Sequence, residues 1–319
     1  MKRLFTLLFA LLVVSTLVLA ACSPAPAEAP AAEEMAEEAA PAEEEAAPAE
    51  EAAAEEEMAE EVAPAEEAAS APEPVTVVIG FTSSITGSQE VSSKRQVNGF
   101  SLWMNQVNEA GGVTLSDGTV VTFEFVTYDD ESTAERVQEL YTRLISEDNA
   151  DFLISPYSSG LTSAASIVAE QNGKVMITTG AADDAAYKTG NTGLFQLYTP
   201  GSLYMSSTVD MLQGLDPDAK IALVYEAAKF STSVVEGIKP YLADRGFEVV
   251  LEESYASDTA DFGPIVNKIA GSGATVLLGG GHYNDGTALA RALYERQIGL
   301  NFAYLLVAPA DSKFPELGD

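Results

Sequence analysis

The stretch Val75–Phe81, with the sequence VTVVIGF, is a continuous run of apolar and β-branched residues. Such a run is typical of a strand that is buried on both faces of a parallel sheet. A loop of small polar residues follows, and residues 94–109 then carry apolar side chains at helical spacing. Strands that alternate with helices of this length predict parallel sheets joined by right-handed crossovers.

The same alternation continues along the chain to residue 307 and breaks once, near residue 200. It predicts an α/β fold of two doubly wound parallel-sheet lobes joined by a hinge, with lobe 1 at 75–199 and lobe 2 at 200–308. The predicted strands are 75–81, 122–128, 151–155, 174–178, 194–198, 220–225, 247–252, 275–278 and 302–307. The predicted helices are 94–109, one that starts at a capping box over 132–135, 162–171, 202–213, 233–245, 261–270 and 285–297.

The N-terminal sequence predicts that the protein is located outside the cytoplasm. Lys2 and Arg3 precede the apolar run 4–21, which ends in small residues directly before Cys22, the only cysteine of the chain. This order is typical of a cleaved secretory signal, and the cysteine after it resembles the lipobox of bacterial lipoproteins. We therefore expect residues 1–22 to be a lipoprotein signal peptide and Cys22 to anchor the protein to a membrane through lipid. An uncleaved transmembrane anchor is the alternative, because the run is long enough for a short span.

Residues 23–74 consist almost wholly of Ala, Glu and Pro, with 18 glutamates and no lysine or arginine. A segment with so little apolar surface predicts a disordered tether. The chain as a whole has a formal net charge of −33. From residue 75 onward, 31 acidic residues face 14 basic ones, which argues against nucleic acid and anionic lipid surfaces as partners.

Ligands of doubly wound sheets bind at the carboxyl ends of the strands. The loops there are rich in glycine and hydroxyl groups and lack clustered metal ligands, so we expect no metal and no cofactor. The three glycines of 279–281 do not form a dinucleotide-binding motif, because Asn284 occupies the third glycine position. The pair Asp129 and Asp130 could be a metal or acid pair, but turn and cap chemistry explains it better.

Several short segments, in this order along the chain, resemble the type I periplasmic binding proteins of the branched-chain amino-acid (leucine-binding) family. They are 80–87, NEAGG at 108–112, YDDES at 128–132, YSSG at 157–160, TGAA at 179–182 and GGGH at 279–282. The resemblance implies a monomeric solute-binding subunit that feeds an ABC permease and closes two lobes on an amino acid or amino-acid-like solute. In this family the chain returns to the first lobe, so we expect 309–319 to start a truncated crossover.

The resemblance also implies the site. A serine hydroxyl and backbone N–H groups of the first lobe would hold a carboxylate without a cation, helped by helix N-termini. The ligand-binding residues so predicted are Tyr157, Ser158, Ser159, Gly180, Ala181, Ala182, Phe230 and His282. Ser159 could instead cap a helix, His282 could be structural and Phe230 could belong to the core.

Three departures from the family pattern affect the choice of solute. Ala182 lacks a hydroxyl that is common there, Ala310 stands where an acid would pair with an ammonium group, and Ser92 replaces a frequent aromatic wall. A receptor or sensor domain for an amide or amino-acid-like ligand is the alternative function. An enzyme is not expected, because the single histidine has no nucleophile motif beside it.

Overall fold

The structure is a computed structural model that describes residues 72–318. The predicted signal peptide, the lipidation of Cys22 and most of the predicted tether lie outside these residues. Among the residues described, no helix combines the length and apolar character needed to span a bilayer.

Ten strands and seven α-helices alternate along the described chain, with short 3₁₀ turns between some of them. The strands are β1 Val75–Ser83, β2 Val113–Thr114, β3 Val120–Asp129, β4 Phe152–Ile154, β5 Met176–Thr178, β6 Leu194–Gln196, β7 Lys220–Glu226, β8 Glu248–Tyr255, β9 Val276–Gly280 and β10 Phe302–Leu305. The helices are α1 Glu90–Glu109, α2 Ala134–Ser146, α3 Ser159–Gln171, α4 Ser206–Leu215, α5 Lys229–Asp244, α6 Gly263–Ser272 and α7 Tyr283–Glu295.

The strands form two separate sheets. The first has the order β2-β3-β1-β4-β5-β6 and the second the order β10-β9-β7-β8. The α/β fold with two parallel sheets is therefore confirmed, with one difference. The two-residue strand β2 pairs antiparallel to β3, with Val113 opposite Val121, because the chain reverses between them in a turn in which the Leu115 N–H donates to the Thr119 carbonyl.

The central strands β7 and β9 of the second sheet are buried on both faces, as their near-continuous apolar sequences require. Ile221 and Leu223 of β7 pack into one core with α4 and α5, whereas the alternate residues Ala222 and Val224 pack into another with α6 and α7. Because successive side chains of a strand point to opposite faces, one apolar strand serves both cores.

The first sheet is covered more unevenly. Leu153 and Met176 pack against α2 and α3 on one face. On the other face, the Phe81 ring lies edge-on to Phe100 of α1 at 5.5 Å between ring centroids, while Phe195 at the sheet edge is exposed.

Helix starts are where the sequence predictions fail most. The predicted capping box at 132–135 is wrong: the N-cap of α2 is Thr133, and its side chain makes no capping bond. The Ser132 hydroxyl instead donates to the Thr86 carbonyl and accepts from the Gln89 N–H. A hydrogen bond to a neighbouring loop replaces the local cap. The local sequence pattern does not predict such a bond. Helices α1, α3 and α5 also begin three to four residues earlier than predicted, at Glu90, Ser159 and Lys229.

Candidate functional site

A cavity of about 520 Å³ lies between the carboxyl ends of the two sheets. Both sheets contribute walls, with a majority of aromatic and small residues and one arginine. The lining residues are Ser92, Arg95, Gln96, Gly99, Phe100, Tyr157, Ser158, Thr179, Gly180, Ala182, Tyr198, Tyr204, Phe230, His282, Leu306, Val307 and Ala310. This is the position at which open α/β sheets bind their ligands.

The first-lobe wall is built from the loops after β4 and β5. Ser158 lines the cavity as the N-cap of α3, and its side chain makes no capping bond. Gln96 of α1 joins the two loops, since its Nε2 donates to the Ser155 carbonyl at 3.0 Å and to Thr179 Oγ1 at 2.8 Å. The N-terminus of a 13-residue helix therefore faces a wall of small polar groups.

Ser159 supports this wall from behind. Its side chain is buried, and Oγ accepts hydrogen bonds from the backbone N–H groups of Ala182 at 3.1 Å and Asp183 at 3.2 Å. It is not among the cavity-lining residues, and neither is the fully buried Ala181, whose carbonyl accepts from the Tyr187 hydroxyl. In this structure the Ser159 hydroxyl positions the 182–183 backbone, and its predicted contact with a solute stays a prediction.

Arg95 is a wall residue that the sequence did not single out. Its guanidinium donates from Nη1 to the Ala310 carbonyl at 3.2 Å, and Nε lies 3.5 Å from the buried Asp311 carboxylate. The side chain is 43% exposed, so it sits at the cavity mouth and keeps donors available. Asp311 stands beside the position where an ammonium-pairing acid was expected, and here it faces Arg95.

The second-lobe wall is aromatic. The His282 ring lies 5.6 Å from the Phe230 ring and 5.8 Å from the Tyr157 ring, between centroids. Tyr204 lies edge-on to Phe230 at 5.5 Å. Phe230 also belongs to the core of the second sheet, so both of its proposed roles hold. Edge-on and tilted rings of this kind suit a flat or branched apolar body.

Three buried titratable residues form a cluster at this wall: His282 in the wall itself and, behind it, Glu226, the last residue of β7, and Asp285 in the first turn of α7. His282 Nδ1 lies 2.6 Å from Glu226 Oε2, and the Tyr255 hydroxyl donates to Asp285 Oδ2 at 2.6 Å. His282 is 6% and Glu226 4% exposed. We call this group the His282 relay. Within 72–318, His282 Nε2 has no hydrogen-bond partner and is itself buried.

The environment shifts the pKa values of the Glu226 and Asp285 carboxyl groups in opposite directions. Burial acts to raise the pKa of Glu226, but the hydrogen bond and charge of His282 outweigh it, and the pKa is lowered. Burial, together with the nearby charge of Glu226, raises the pKa of Asp285 despite the Tyr255 hydrogen bond. Glu226 is therefore the carboxylate that carries the negative charge of the relay.

The glycines before His282 make room for the relay. A Cβ at Gly281 would collide with the carboxylates of Glu226 and Asp285, and a Cβ at Gly279, where φ is +151°, would collide with the Val224 carbonyl. Only residues without a side chain allow the acids to pack against the end of β9. This is a structural reason for the triple glycine that owes nothing to phosphate binding.

The relay offers three metal-ligand atoms within 4.8 Å of one another. However, two ligands of one Zn²⁺ at about 2.0–2.2 Å from the ion lie more than 3 Å apart. The 2.6 Å separation of His282 Nδ1 and Glu226 Oε2 is a direct hydrogen bond, and these residues could hold a cation only by moving apart.

Asp129 and Asp130 form a different kind of cluster at the end of β3. Asp130 accepts from the hydroxyls of Thr82 and Ser84 and from the Ser132 N–H, at 2.6–2.9 Å. Asp129 accepts from the 85–86 backbone and the Thr86 hydroxyl. Both acids hold the 82–86 loop against their own turn, in line with the turn chemistry expected for them.

Six of the eight predicted ligand-binding residues thus line the cavity, and Ser159 and Ala181 do not. Sequence reasoning missed Arg95, Gln96, Tyr198 and Tyr204. The loop that carries Tyr198 could have been singled out as another strand end, since it follows β6. Arg95 and Gln96 lie on a helix, where no local pattern marks a wall residue.

The chain is similar to proteins of known class. Leu/Ile/Val-binding protein homolog 8 of Brucella abortus (strain 2308) is 30% identical over 222 residues, which are 66% of this chain and 52% of that protein. The chain spans little more than half the length of the curated relatives it matches.

Solved structures share the fold. The branched-chain amino acid transporter substrate binding protein LivJ from Streptococcus pneumoniae, in complex with isoleucine, has a TM-score of 0.63 at 22% identity and covers 72% of this chain and 63% of its own. A solute binding protein of an ABC transporter from Rhodopseudomonas palustris HaA2, in complex with p-hydroxybenzoic acid, has a TM-score of 0.67 at 18% identity and covers 76% and 66%.

The sequence profile of the periplasmic binding protein family matches residues 76–313, the whole region that forms the two sheets and the cavity between them. The predicted resemblance is confirmed by this match. The chain belongs to the periplasmic binding protein family.

Proposed function

We propose that this protein is the extracytoplasmic substrate-binding subunit of an ABC importer. It binds a small carboxylate between its two lobes. That solute is an amino acid, an amino-acid-like compound or an aromatic acid. The observation that carries this proposal is the cavity itself, which both sheets wall at the ends of their strands and which combines polar donors with aromatic rings. Solved structures of this fold hold isoleucine and p-hydroxybenzoic acid.

The first lobe is the carboxylate end of the proposed site. The N-terminus of α3 carries partial positive charge, and Arg95 adds a full charge at the mouth. The backbone N–H of Gly180, a cavity-lining residue, donates to no other residue within 72–318. These groups favour an anion without enclosing it in a buried ion pair, which suits a protein that must release its cargo.

The family supports a proposal about the partners of this protein. We propose that the lobes close on the solute and present it to an ABC permease, and that the protein acts as a monomer without catalysis. We also propose that lipid on Cys22 and the acidic segment 23–74 hold the protein near that permease.

The test is a binding panel on the full chain by calorimetry and thermal shift, with isoleucine, leucine, p-hydroxybenzoate, benzoate and short amides. A solute that binds the folded state raises the unfolding midpoint in a saturable way. We expect at least one carboxylate to do so. No saturable ligand in the panel would contradict the proposal.

A matched pair of variants tests the carboxylate end. Arg95→Gln removes the charge at the cavity mouth and should weaken binding of the carboxylate roughly tenfold. Arg136→Gln removes a guanidinium on α2 that pairs with Glu139, and it should leave the affinity unchanged. Equal affinities in the two variants would show that Arg95 takes no part.

A further inference from the structure

We infer that His282 Nε2 is a hydrogen-bond acceptor held ready for the solute, so that the solute must bring an O–H or N–H donor to the second lobe. This inference rests on the proposed function and refines it to a class of solute. It begins from one atom. Within 72–318, Nε2 of His282 is a buried ring nitrogen that finds no partner, although its residue lines the cavity.

A buried polar atom without a partner destabilises a protein, and native structures contain few of them. The other ring nitrogen of His282 is fully used, because Nδ1 lies 2.6 Å from Glu226 Oε2. The ring that carries the unpartnered atom lies next to the rings of Tyr157 and Phe230, and all three residues line the cavity. A bound solute is the missing partner that this position allows.

Glu226 decides whether the missing partner is a donor or an acceptor. A carboxylate can only accept, so Nδ1 must carry the hydrogen of that bond. In the neutral imidazole the other nitrogen then bears a lone pair and accepts. Asp285, whose carboxyl group accepts from Tyr255, adds a second acidic group to the same side of the cavity.

The two sides of the cavity thus offer groups of opposite character, anion-binding groups on one side and a hydrogen-bond acceptor on the other. Arg95 and the N-terminus of α3 stand on the first-lobe side, and the His282 relay stands on the second-lobe side. The groups of these two walls that can titrate or carry charge are Arg95 with its partner Asp311, the tyrosines Tyr157, Tyr198, Tyr204 and Tyr255, and Glu226, Asp285 and His282. A solute with an anionic group toward the first lobe and a donor toward the second satisfies both walls.

The first experiment reads the tautomer without any ligand. His282 is the only histidine of the chain, so protein labelled with ¹⁵N-histidine gives the resonances of one imidazole. At about pH 8, where an ordinary imidazole is neutral, we expect hydrogen on Nδ1 and none on Nε2. Glu226→Gln supplies an amide that can donate to Nδ1, and it should populate the opposite tautomer. Asp130→Asn, a buried acid away from the cavity, should change nothing.

The second experiment measures affinity for pairs of solutes that differ by one donor group. Two pairs differ by a hydroxyl, p-hydroxybenzoate and benzoate, and tyrosine and phenylalanine, and one differs by an ammonium group, isoleucine and 3-methylpentanoate. For the pair that binds best, we expect the donor-bearing member to bind at least about tenfold more tightly, the ratio given by one hydrogen bond of ordinary strength. His282→Phe keeps an aromatic ring and removes the acceptor. It should reduce that ratio to about one.

A wild-type tautomer with hydrogen on Nε2 overturns the inference, and so does an equal affinity for both members of every binding pair. A ratio that survives His282→Phe does the same, since the donor then has another acceptor. If none of the six solutes binds and the panel for the proposed function also yields no ligand, the proposed function fails instead, while the tautomer measurement still reports on the relay. The two failures are therefore distinguishable.

Discussion

Asp130 in the first lobe and Glu226 in the second are both buried carboxyl groups at the end of a strand. They differ in whether their hydrogen-bond networks leave a polar atom without a partner. Asp130 accepts three bonds from donors of its own loops, which closes the group on itself. Glu226 fixes His282, whose far nitrogen is left without a partner at the cavity. A saturated acid is part of the scaffold, whereas a relay with one free end is part of a site.

The largest effect we expect comes from the saturated acid. Asp130→Ala leaves two buried hydroxyls, of Thr82 and Ser84, and the Ser132 N–H without their acceptor. The free energy of unfolding should fall by about 3 kcal/mol or more, measured by urea denaturation. Asp117→Ala is the control, since it removes an exposed turn acid of the same lobe and should cost far less. A loss at Asp130 no larger than at Asp117 would contradict the structural role.

The pH dependence of stability should separate the two acids by sign. Burial raises the pKa of Asp130 above 3.8, although its hydrogen bonds act to lower it. The folded state therefore holds this proton longer than the unfolded chain, and stability falls as the pH rises from 3.8 toward the folded pKa. The pKa of Glu226 is lowered from 4.5, so its stabilisation is complete above that pH and is lost as the pH falls through the folded value.

Two conservative variants measure these slopes by urea denaturation between about pH 3 and 7. The deficit of Asp130→Asn relative to wild type should shrink as the pH rises, because wild type must then ionise a buried acid. The deficit of Glu226→Gln should reach about 1–2 kcal/mol near neutral pH and shrink on acidification. Slopes of the same sign in the two variants would remove the distinction between the two acids.

A smaller effect should distinguish support from contact at Ser159. Ser159→Ala removes the acceptor of two backbone N–H groups and should lower the free energy of unfolding by about 1–2 kcal/mol. Ser166→Ala is the matched control, because its hydroxyl bonds only to a carbonyl of its own helix. A large loss of solute affinity without any loss of stability would instead make Ser159 a direct solute contact.

The smallest effect belongs to an acid that is neither buried nor linked to the cavity. Glu253 on β8 pairs with Lys268 of α6 at 2.6 Å, and about half of the lysine side chain is exposed. Lys268→Met should change the free energy of unfolding by at most about 1 kcal/mol, and salt should reduce the difference. A larger or salt-independent change in urea denaturation would mean that burial does not rank these acids.

Much of the fold could be predicted from the sequence because the spacing of apolar residues indicates which positions are buried. The apolar runs in β7 and β9 mark strands covered on both faces, and the run Val75–Phe81 marks a strand that is buried in its carboxyl half. The periodic apolar positions of α2 mark a helix. The helix starts could not be predicted as well, since they depend on partners from other segments. Ser132 resembles a cap yet bonds to the loop after β1.

The candidate site divides in the same way. Strand-end loops could be found from the alternation of strands and helices, and six of the predicted residues do line the cavity. Arg95 and Gln96 could not, because a helix shows its wall-facing side only once the helix has been placed. The pairing of Glu226 with His282 spans 56 residues and follows from β7 and β9 lying side by side.

The sequence by itself determined the class of fold, the family and the edge of the sheets at which a solute would bind, because these follow from periodicity and from short ordered motifs. The tertiary structure decided what each side chain does there. It turned the Ser159 hydroxyl inward to hold a backbone, saturated Asp130, and left one nitrogen of His282 without a partner. The physical reason is that hydrogen-bond satisfaction depends on donors and acceptors from distant segments, which only the packing of the sheets brings together.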